Sequence, residues 1–528
     1  MTAPGAVLIG FQEQGNLGVG YLASTLARRG FTTQILDFRQ ERESILKAIK
    51  SAQPQLVGFS LIFQYYAPQF RELASYLRDK GIDCHFTAGG HYPSLRSETV
   101  LDSVPQLDSV VRFEGEITLL ELMERLAEQQ DWHDLMGIAS RDGDRIVLNP
   151  PRPLIADLDE LPFPARPLES SLTVLGKRIA PILGSRGCSR DCSFCSIRQF
   201  YGQAPGKKVR VRKPAKVVEE MRTLYDETGA SIFLFQDDDF PVWGAFGRRW
   251  TEQFIEALRA QGLYGRVIWK ISCRCDEIEP ELFSRMRDAG LYVVYLGIES
   301  GNSAGLQTLN KKLTSEQSLH ATDVLREIGL PYSYGFMLFD PSSTFDSVRE
   351  NVAFLRRITA GGAVPAVMTR MLPYAGTPIE ATLAKEGRLR GSVENPDYDF
   401  FDRRLNSYFQ ALSRLVANWM YGSDPLVQRF NSTWHECWAL RRLFPPLPDQ
   451  EQYENFLRSI TTRSNDYILD LVERVALAFE NHGGEIPAAA EVQAAGARFS
   501  DELLAERNAF VTRNSSTILA SLQDPKAA

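Results

Sequence analysis

Short apolar runs alternate with amphipathic segments over the first 130 residues of the chain. The runs lie at 6–11, 33–38, 56–62, 84–89 and 109–113, and apolar residues at helical spacing fill 21–29, 68–80 and 118–129. Runs of this length predict buried strands, and a strand–helix alternation predicts a parallel, doubly wound, Rossmann-like sheet. Ligands of such sheets bind beyond the carboxyl ends of the strands.

A second alternation of the same kind lies between residues 182 and 372. It predicts strands at 182–183, 231–236, 267–272, 292–298, 332–339 and 366–372, with helices at 217–228, 250–261, 280–289, 315–328 and 347–358. Six such units predict a partial (β/α)6 barrel, in which chemistry belongs at the carboxyl ends of the strands.

The remaining pattern divides the chain further. Prolines between 149 and 167 predict an extended strap. From about residue 395 the pattern is helical, with segments at 405–421, 433–443, 452–461 and 467–479, and the last dozen residues look frayed. We therefore predict an α/β protein with a sheet domain over 1–148, a linker over 149–170, a barrel over 171–390 and a helical domain over 391–528.

A polar loop after the first predicted barrel strand carries Cys188, Cys192 and Cys195, spaced C-x3-C-x2-C. Thiolates are soft ligands that hold iron–sulfur clusters. A cubane cluster needs four ligands, so a cluster on this loop would keep one iron with an open position, which usually serves chemistry. The alternatives are three unrelated thiols and a zinc site. A zinc loop normally pairs C-x2-C with a second such pair, which the sequence lacks.

This spacing, with Phe194 before the last cysteine, resembles the radical S-adenosylmethionine (radical SAM) enzymes. In that family the open iron binds the amino and carboxylate groups of SAM, and an electron from the cluster releases a 5′-deoxyadenosyl radical. The phrases at 236–240, 272–274 and 296–301, each at a predicted strand end, resemble SAM contacts of the cobalamin-linked members. The resemblance implies a 4Fe-4S cluster on the three cysteines and SAM contacts at Phe194, Asp237, Ser272, Arg274, Glu299 and Ser300.

Glycine-rich phrases at 15–21, 88–93 and 111–116 resemble the cobalamin-binding domain that precedes the barrel in one radical SAM subfamily. A nicotinamide site is the alternative, although the spacing G-x2-G-x-G differs from the dinucleotide fingerprint. The resemblance implies cobalamin contacts at Gln12, Asn16, Leu17, Ser60, Leu61, Gly89, Gly90, His91, Glu114 and Gly115.

The turn after the first strand departs from many cobalamin domains because it lacks the D-x-H-x2-G histidine that binds cobalt. His85 leads into the fourth strand instead and is expected to pack there. We expect base-off cobalamin with no histidine ligand from the protein. Phe63, Gln64 or Tyr65 would then approach its lower face.

Candidate substrate residues lie on the fifth and sixth predicted barrel strands and on a C-terminal helix. Tyrosines alternate along the fifth predicted strand, and an arginine lies on the sixth, where lining a cavity and packing in the core are equally consistent. His435 and two arginines on a C-terminal helix could reach an acidic substrate group, with helix packing as the alternative. The candidate substrate residues on the strands are Tyr332, Tyr334 and Arg370.

Composition excludes several classes of partner. A net charge of −7 over 528 residues argues against a nucleic acid held through its phosphates. The N-terminus lacks the basic start of a signal peptide, and no apolar run approaches the ~18 residues needed to cross a bilayer. We expect a cytoplasmic enzyme without a membrane partner, acting on a small molecule and reduced by an electron donor such as flavodoxin or ferredoxin.

The resemblance implies a cobalamin-dependent radical SAM enzyme, with methyl transfer to an unactivated carbon as the leading activity. A cyclisation or another radical rearrangement uses the same cofactors and is the main alternative. A methylthiotransferase would carry three further N-terminal cysteines, where this chain has only Cys84. A non-enzymatic iron–sulfur or cobalamin sensor is the remaining alternative.

Overall fold

The computed structural model describes residues 5–13, 15–167, 172–422, 424–481 and 486–523. The chain forms two compact units, and each of them gathers segments that are distant in sequence. The first contains the residues up to Leu172, Ala180–Glu220 and Leu372–Asp397, and the second contains Thr173–Ile179, Met221–Met371 and the residues from Tyr398 onward. The cysteine-bearing segment therefore belongs to the same unit as the N-terminal sheet.

The N-terminal sheet has seven strands in the order β2-β1-β3-β4-β5-β6-β7. The first five are parallel and confirm the predicted doubly wound sheet, while β6 and β7 form an antiparallel edge that the sequence pattern missed. Its elements are β1 (Gly5–Gly10), α1 (Leu17–Arg28), β2 (Thr32–Asp37), α2 (Arg42–Ala52), β3 (Leu56–Ser60), α3 (Ala67–Asp79), β4 (His85–Gly89), α4 (His91–Leu95), α5 (Ser97–Ser103), β5 (Ser109–Val111), α6 (Glu116–Ala127), β6 (Ile138–Asp142) and β7 (Arg145–Leu148).

Both faces of this sheet are covered, which explains why its central strands read as continuous apolar runs. All of β1 is buried. Val7 and Ile9 enter one core with Phe59, whereas Ala6 and Leu8 enter a second core on the other face. The strand order reverses direction between β1 and β3, and the carboxyl ends at such a switch point are where ligands bind.

A curled half-barrel follows, with strand order β16-β15-β14-β13-β12-β9-β8. Neighbouring strands from β12 to β16 are parallel, as predicted. The elements of this region are β8 (Thr173–Val174), β9 (Lys177–Ile182), β10 (Ser185–Arg186), α7 (Ser196–Gly202), β11 (Arg210–Val211), α8 (Pro214–Thr228), β12 (Ala230–Phe235), α9 (Gly244–Ala260), β13 (Ile268–Cys273), α10 (Pro280–Asp288), β14 (Leu291–Glu299), α11 (Ser303–Thr308), α12 (Ser315–Glu327), β15 (Tyr332–Phe339), α13 (Phe345–Thr359) and β16 (Thr369–Arg370).

The C-terminal region is mainly helical, and two details of its prediction were wrong. The segments predicted at 452–461 and 467–479 are one helix, because residues 462–466 contain neither proline nor glycine. The chain is also helical to Gln523, with Ile518 buried, where fraying was expected. The elements are α14 (Pro378–Lys385), β17 (Leu389–Gly391), β18 (Pro396–Tyr398), α15 (Arg403–Leu415), α16 (Ala417–Met420), α17 (Leu426–Leu443), α18 (Gln450–Glu480), α19 (Ala489–Arg513) and α20 (Ser515–Gln523).

Among the helices of the described residues, none combines the length and the apolar character that crossing a bilayer requires.

Candidate active site

The three cysteines lie on a loop, residues 187–195, held at its base by a short antiparallel clip. Within this clip Arg186 of β10 pairs with Arg210 of β11. The loop begins at Gly187, whose φ of 85° and close approach to the carbonyl of Lys208 leave no room for a Cβ. The sequence therefore forces a sharp turn just before the first cysteine.

The donor chemistry of this cysteine loop fits an iron–sulfur cluster. All three thiols are partly exposed, and the backbone N–H of Arg190 donates to the sulfur of Cys188 at 3.5 Å. Within the described ranges, no three His, Cys, Asp or Glu side chains already stand as a metal site. Metal binding commonly orders its own ligands, so convergence of the thiolates would accompany cluster assembly.

The carboxyl ends of β1, β3 and β4 lie side by side along one edge of the sheet, which we call the glycine edge. Gly90 has a φ of 104°, and a Cβ there would lie 2.5 Å from the carbonyl oxygen of Leu61. At Gly10 a Cβ would lie 3.1 Å from that of Ser60. The backbone therefore carries no side chain at these two positions, and both glycines are needed for the close approach of neighbouring strand ends.

Gln12 supplies an unsatisfied donor at the same edge. The side chain is 3% exposed, and its Oε1 accepts from the backbone N–H of Asn16 at 3.4 Å. Its Nε2 has no hydrogen-bond partner among the described residues. Because a buried donor without an acceptor is costly, this amide suits a ligand that brings an acceptor.

The other predicted cobalamin residues divide into two groups. The backbone N–H of Leu61 donates to the carbonyl of Gly89, so both lie on the glycine edge. Asn16 instead caps α1 by accepting from Val19, and Leu17 is buried in the first turn of that helix. Gly115 precedes α6.

The structure corrects the assignment of Glu114 to cobalamin. This carboxylate is buried and accepts from Arg186 at 3.0 Å and from Arg210 at 2.7 Å. Arg186 also pairs with Glu116 at 2.6 Å. Glu114 therefore holds the base of the cysteine loop against the N-terminal sheet, a partnership across 72 residues that no local pattern reveals.

His91 contacts the helix that directly follows the cysteines. Its Nδ1 lies 3.4 Å from the hydroxyl of Ser196, and its ring centroid lies 4.4 Å from that of Phe200. Burial lowers the pKa of His91 to about 4, so the ring is neutral at pH 7. Its predicted contact with cobalamin stays a prediction, whereas its contact with α7 is a structural fact.

Of the three candidates for the lower face of cobalamin, Gln64 is already engaged. Its amide donates to the carbonyl of Val393 at 2.6 Å and accepts from the N–H of Ala375 at 2.5 Å. The rings of Phe63 and Tyr65 stack at 5.4 Å and are more than a third exposed. Two aromatic rings thus remain available at the end of β3.

Tyr374 is a site residue that the sequence reading did not single out. Its ring centroid lies 5.7 Å from that of Phe63, and the backbone N–H of nearby Ile379 donates to the carbonyl of Ser193. Burial first, and then the charge of Cys195, raise the pKa of the Tyr374 phenol. Segment 372–397 therefore contacts both the end of β3 and the cysteine loop.

Arg274 in the second unit does not present its guanidinium as predicted. Its Nε donates to Asp276 at 2.9 Å, and its Nη1 donates to the carbonyl of Lys311 at 2.9 Å. The side chain is buried and its donors hold a loop. The side chain of Arg274 therefore has a structural role, which corrects its assignment as a SAM contact.

The other predicted SAM residues occupy strand ends of the half-barrel. Glu299 has a φ of 70° at a bulge in β14 and pairs with the buried Lys311 at 3.1 Å. Ser300 is fully buried and hydrogen-bonds Asn351 at 3.2 Å. Ser272, whose carbonyl accepts from Phe240, and the buried Asp237 lie near the ends of β13 and β12. Phe194 is partly exposed on the cysteine loop, and these SAM assignments stay predictions.

Of the two interpretations left open for Tyr332 and Tyr334, the structure supports packing in the core and not the lining of a cavity. Both are buried, and their hydroxyls donate to the carbonyls of Ile358 at the end of α13 and Pro365 after it. They point out of the half-barrel towards its helical layer. Arg370 lies over the ring of Tyr398, 4.0 Å from its centroid, and also over Phe400 and Phe409.

A glycine-edged parallel sheet followed by a half-barrel and a three-cysteine loop defines a class of enzymes that join cobalamin to radical chemistry. The B12 binding domain family matches residues 11–123, and the Radical SAM superfamily matches residues 182–355. The chain belongs to the cobalamin-dependent radical SAM enzymes.

Relatives of different activity resemble the chain. Cytidylyl-2-hydroxyethylphosphonate methyltransferase of Streptomyces wedmorensis is 31% identical over 61% of this chain and 68% of its own length. Hopanoid C-3 methylase of Methylococcus capsulatus is 27% identical, over 81% and 78%. Anaerobic magnesium-protoporphyrin IX monomethyl ester cyclase of Cereibacter sphaeroides is 28% identical, over 64% and 55%.

Among solved structures, the cobalamin-dependent S-adenosylmethionine radical enzyme OxsB with aqua-cobalamin bound superposes with a TM-score of 0.67. The match covers 99% of this chain and 84% of that chain at 16% identity. It establishes a shared fold that includes the C-terminal helices.

Proposed function

We propose that the protein is a methyltransferase that transfers a methyl group to an unactivated carbon of a small molecule. When bound, the cluster and SAM supply a 5′-deoxyadenosyl radical, and cobalamin supplies the methyl group. A radical route suits such a carbon because no polar group there stabilises a carbanion. Two of the named relatives are a methyltransferase and a methylase, which supports this reading over the alternatives.

The observation that carries the proposal is the contact between the cysteine segment and the carboxyl ends of the N-terminal strands. The hydroxyl of Ser196 lies 3.4 Å from His91, Tyr374 lies beside Phe63, and the N–H of Ile379 donates to the carbonyl of Ser193. Methyl transfer to a carbon radical requires the radical source and the methyl donor to serve one substrate. These contacts hold the two cofactor-binding elements side by side within the first unit.

Each part of the chain then has a role. Cys188, Cys192 and Cys195 hold three irons and leave the fourth for SAM. The bare backbone at Gly90 and the unsatisfied amide of Gln12 receive cobalamin. We propose base-off binding without a histidine ligand, because the turn after β1 has no histidine and Gln64 is already engaged. Phe63 and Tyr65 would then be the side chains nearest its lower face.

The remaining partners follow from the cluster. A one-electron donor such as flavodoxin or ferredoxin would reduce it, and the partly exposed thiols require a reducing compartment such as the cytoplasm. The substrate is a small molecule, and no nucleic-acid partner is proposed for an acidic chain.

The second candidate function is a cyclisation or rearrangement, favoured by the similarity to an anaerobic cyclase. The two functions differ in their products. Methyl transfer yields methylated substrate together with S-adenosylhomocysteine and 5′-deoxyadenosine. A rearrangement yields 5′-deoxyadenosine without S-adenosylhomocysteine.

Anaerobic reconstitution with iron, sulfide and hydroxocobalamin tests the proposal. We expect visible absorption from both cofactors, and 5′-deoxyadenosine on adding SAM and dithionite. Cys192→Ala should abolish the nucleoside, whereas Cys84→Ala, a matched change outside the loop, should not. Nucleoside formation by Cys192→Ala would refute the cluster assignment, and wild-type protein that binds no cobalamin would refute methyl transfer.

A further inference from the structure

A lysine in the second unit faces the interior of the half-barrel. Lys270 lies on β13 between Trp269 and Ile271, both fully buried. The ring of Trp269 packs against Phe254 of α9, with centroids 5.2 Å apart. Because neighbouring side chains of a strand point to opposite faces, Lys270 points away from this helix and into the half-barrel.

The neighbouring strands add polar groups on the same face. The ammonium of Lys270 lies 5.5 Å from the centroid of the Tyr295 ring. Tyr295 is 37% exposed. A Cβ on Gly335 would lie 2.5 Å from the Tyr295 hydroxyl, so a glycine at position 335 is needed to make room for that hydroxyl. Opposite Tyr295 on β15, the hydroxyl of Ser333 is buried without a partner among the described residues.

A helix of the C-terminal region contributes the remaining titratable neighbour. His435 of α17 lies with its Nδ1 3.4 Å from the hydroxyl of Tyr292. Burial first, and then the charge of Lys270, lower the pKa of His435 to about 3, so this ring is neutral. Burial raises the pKa of Tyr292, and burial followed by the charge of Glu299 raises the pKa of Tyr295, which keeps both phenols protonated.

None of these neighbours is an ion-pair partner of Lys270, although the charge of Glu299 reaches Tyr295 and raises the pKa of its phenol. Burial alone lowers the pKa of its ammonium, and within the described part of the chain no carboxylate forms an ion pair with it. Lys311, the buried lysine that follows β14, pairs with Glu299. A half-buried cation that lacks such a partner is stabilised when a ligand supplies the anion.

We propose that Lys270 and Tyr295 form an oxyanion-binding subsite inside the half-barrel, which holds a carboxylate or phosphate group of the substrate. The ammonium supplies the charge, and the phenol supplies a neutral donor that cannot repel the anion. The subsite rests on the proposed function only in assigning the anion to the substrate. It predicts that substrates carry an acidic group.

Acylation of the lysines in reconstituted holoenzyme tests the subsite without turnover. An isotopically labelled acetylating reagent is applied in phosphate, acetate or chloride at equal ionic strength, and peptides are quantified by mass spectrometry. An anion at ten times its Kd should slow acetylation of Lys270 about tenfold. Lys177, which is also half-buried but donates to the carbonyl of Ser521, is the matched control and should be unprotected.

Each outcome of the acetylation experiment either supports or overturns the subsite. Protection by phosphate alone indicates a phosphate group, protection by acetate alone indicates a carboxylate, and protection by both supports a general oxyanion subsite. Equal labelling in all three salts, or equal protection of Lys177, would overturn the proposal. The same protection is expected in Cys192→Ala protein, so a failure of radical chemistry would not mimic a failure of the subsite.

A melting-temperature series provides the second test. Phosphate or acetate should raise the Tm of wild-type and Lys270→Arg protein but not of Lys270→Met. If Lys270→Met melts with the same anion-induced shift as the wild type, the anion binds elsewhere. If Lys270→Met fails to fold, the labelling of wild-type protein still tests whether the subsite binds an oxyanion.

Discussion

The two seven-stranded sheets present different chemical groups at the carboxyl ends of their strands, although both are built from the same strand–helix unit. The glycine edge of the first unit offers bare backbone at Gly90 and one buried amide at Gln12. The half-barrel of the second unit offers charged and polar side chains, among them Lys270 and Glu299. Bare backbone suits a broad flat macrocycle, whereas side chains suit a smaller polar ligand.

The two units also differ in whether their cationic side chains have carboxylate partners. In the first unit Arg186 and Arg210 are neutralised by Glu114 and Glu116. In the second unit no carboxylate of the described residues forms an ion pair with Lys270, and Glu299 pairs with Lys311 instead. This difference indicates that the paired charges of the first unit hold the cysteine loop in place. In the second unit the ammonium of Lys270 is left to bind an anionic ligand.

Breaking the buried network should have the largest effect. Glu114→Ala leaves two buried arginines short of an acceptor and should lower the free energy of unfolding by about 3–5 kcal/mol in urea denaturation. Asp226→Ala, which removes an exposed i,i+4 partner of Arg222, should cost only about 0.3–0.5 kcal/mol. Similar losses for the two variants would contradict a structural role for Glu114.

Filling the glycine edge should have the next largest effect, and it should fall on cobalamin. Gly90→Ala places a Cβ against the carbonyl of Leu61, whereas at Gly30, which also has a positive φ, no atom lies within 4 Å. Both variants place a Cβ at a positive φ, which costs about 1–3 kcal/mol, and Gly90→Ala adds the clash with Leu61. Only Gly90→Ala should also bind cobalamin at least about tenfold more weakly, equivalent to 1.4 kcal/mol. Equal cobalamin retention by the two variants would contradict the assignment of the glycine edge to cobalamin binding.

The outward direction of the β15 tyrosines predicts a smaller effect. Tyr334→Phe removes the hydrogen bond to Pro365 and should cost about 1 kcal/mol of stability. The rate of 5′-deoxyadenosine formation should not change, because the hydroxyl faces the helical layer. A lower rate of 5′-deoxyadenosine formation with unchanged stability would instead indicate that Tyr334 lines the cavity.

Acid should weaken the protein gradually through its buried histidines. Burial lowers the pKa of His85 from 6.5 to about 4, and its Nε2 hydrogen-bonds Ser109 at 2.8 Å. The unfolded chain therefore takes up this proton first, so the contribution is complete above pH 6.5 and is lost as pH falls towards 4. His85→Asn should flatten the fall in urea stability over this range, and an unchanged slope would contradict the assignment.

The strand–helix pattern predicted most of the fold because covered parallel strands are apolar throughout. It missed α2, where only Ile45 and Ile49 are buried, and the antiparallel edge, whose strand β7 is largely exposed. Such elements carry too little apolar signal to be recognised from one sequence.

The site was harder to predict because the partner of a charged or polar residue is distant in sequence. The sequence placed Glu114 at a strand end but could not reveal Arg186, and it placed Arg274 without revealing the carbonyl of Lys311. Alternation correctly put Tyr332 and Tyr334 on one face of β15. Only the position of α13 shows that this face points outward.

The central claim is that the cysteine loop and the glycine edge place a cluster and cobalamin next to each other. Electron paramagnetic resonance of reconstituted protein, with cobalamin as the Co(II) form and the cluster reduced, tests it directly. The account predicts a Co(II) signal broadened or split by the cluster spin, and an unperturbed signal in Cys192→Ala protein. A wild-type spectrum that is the simple sum of two isolated centres would contradict it.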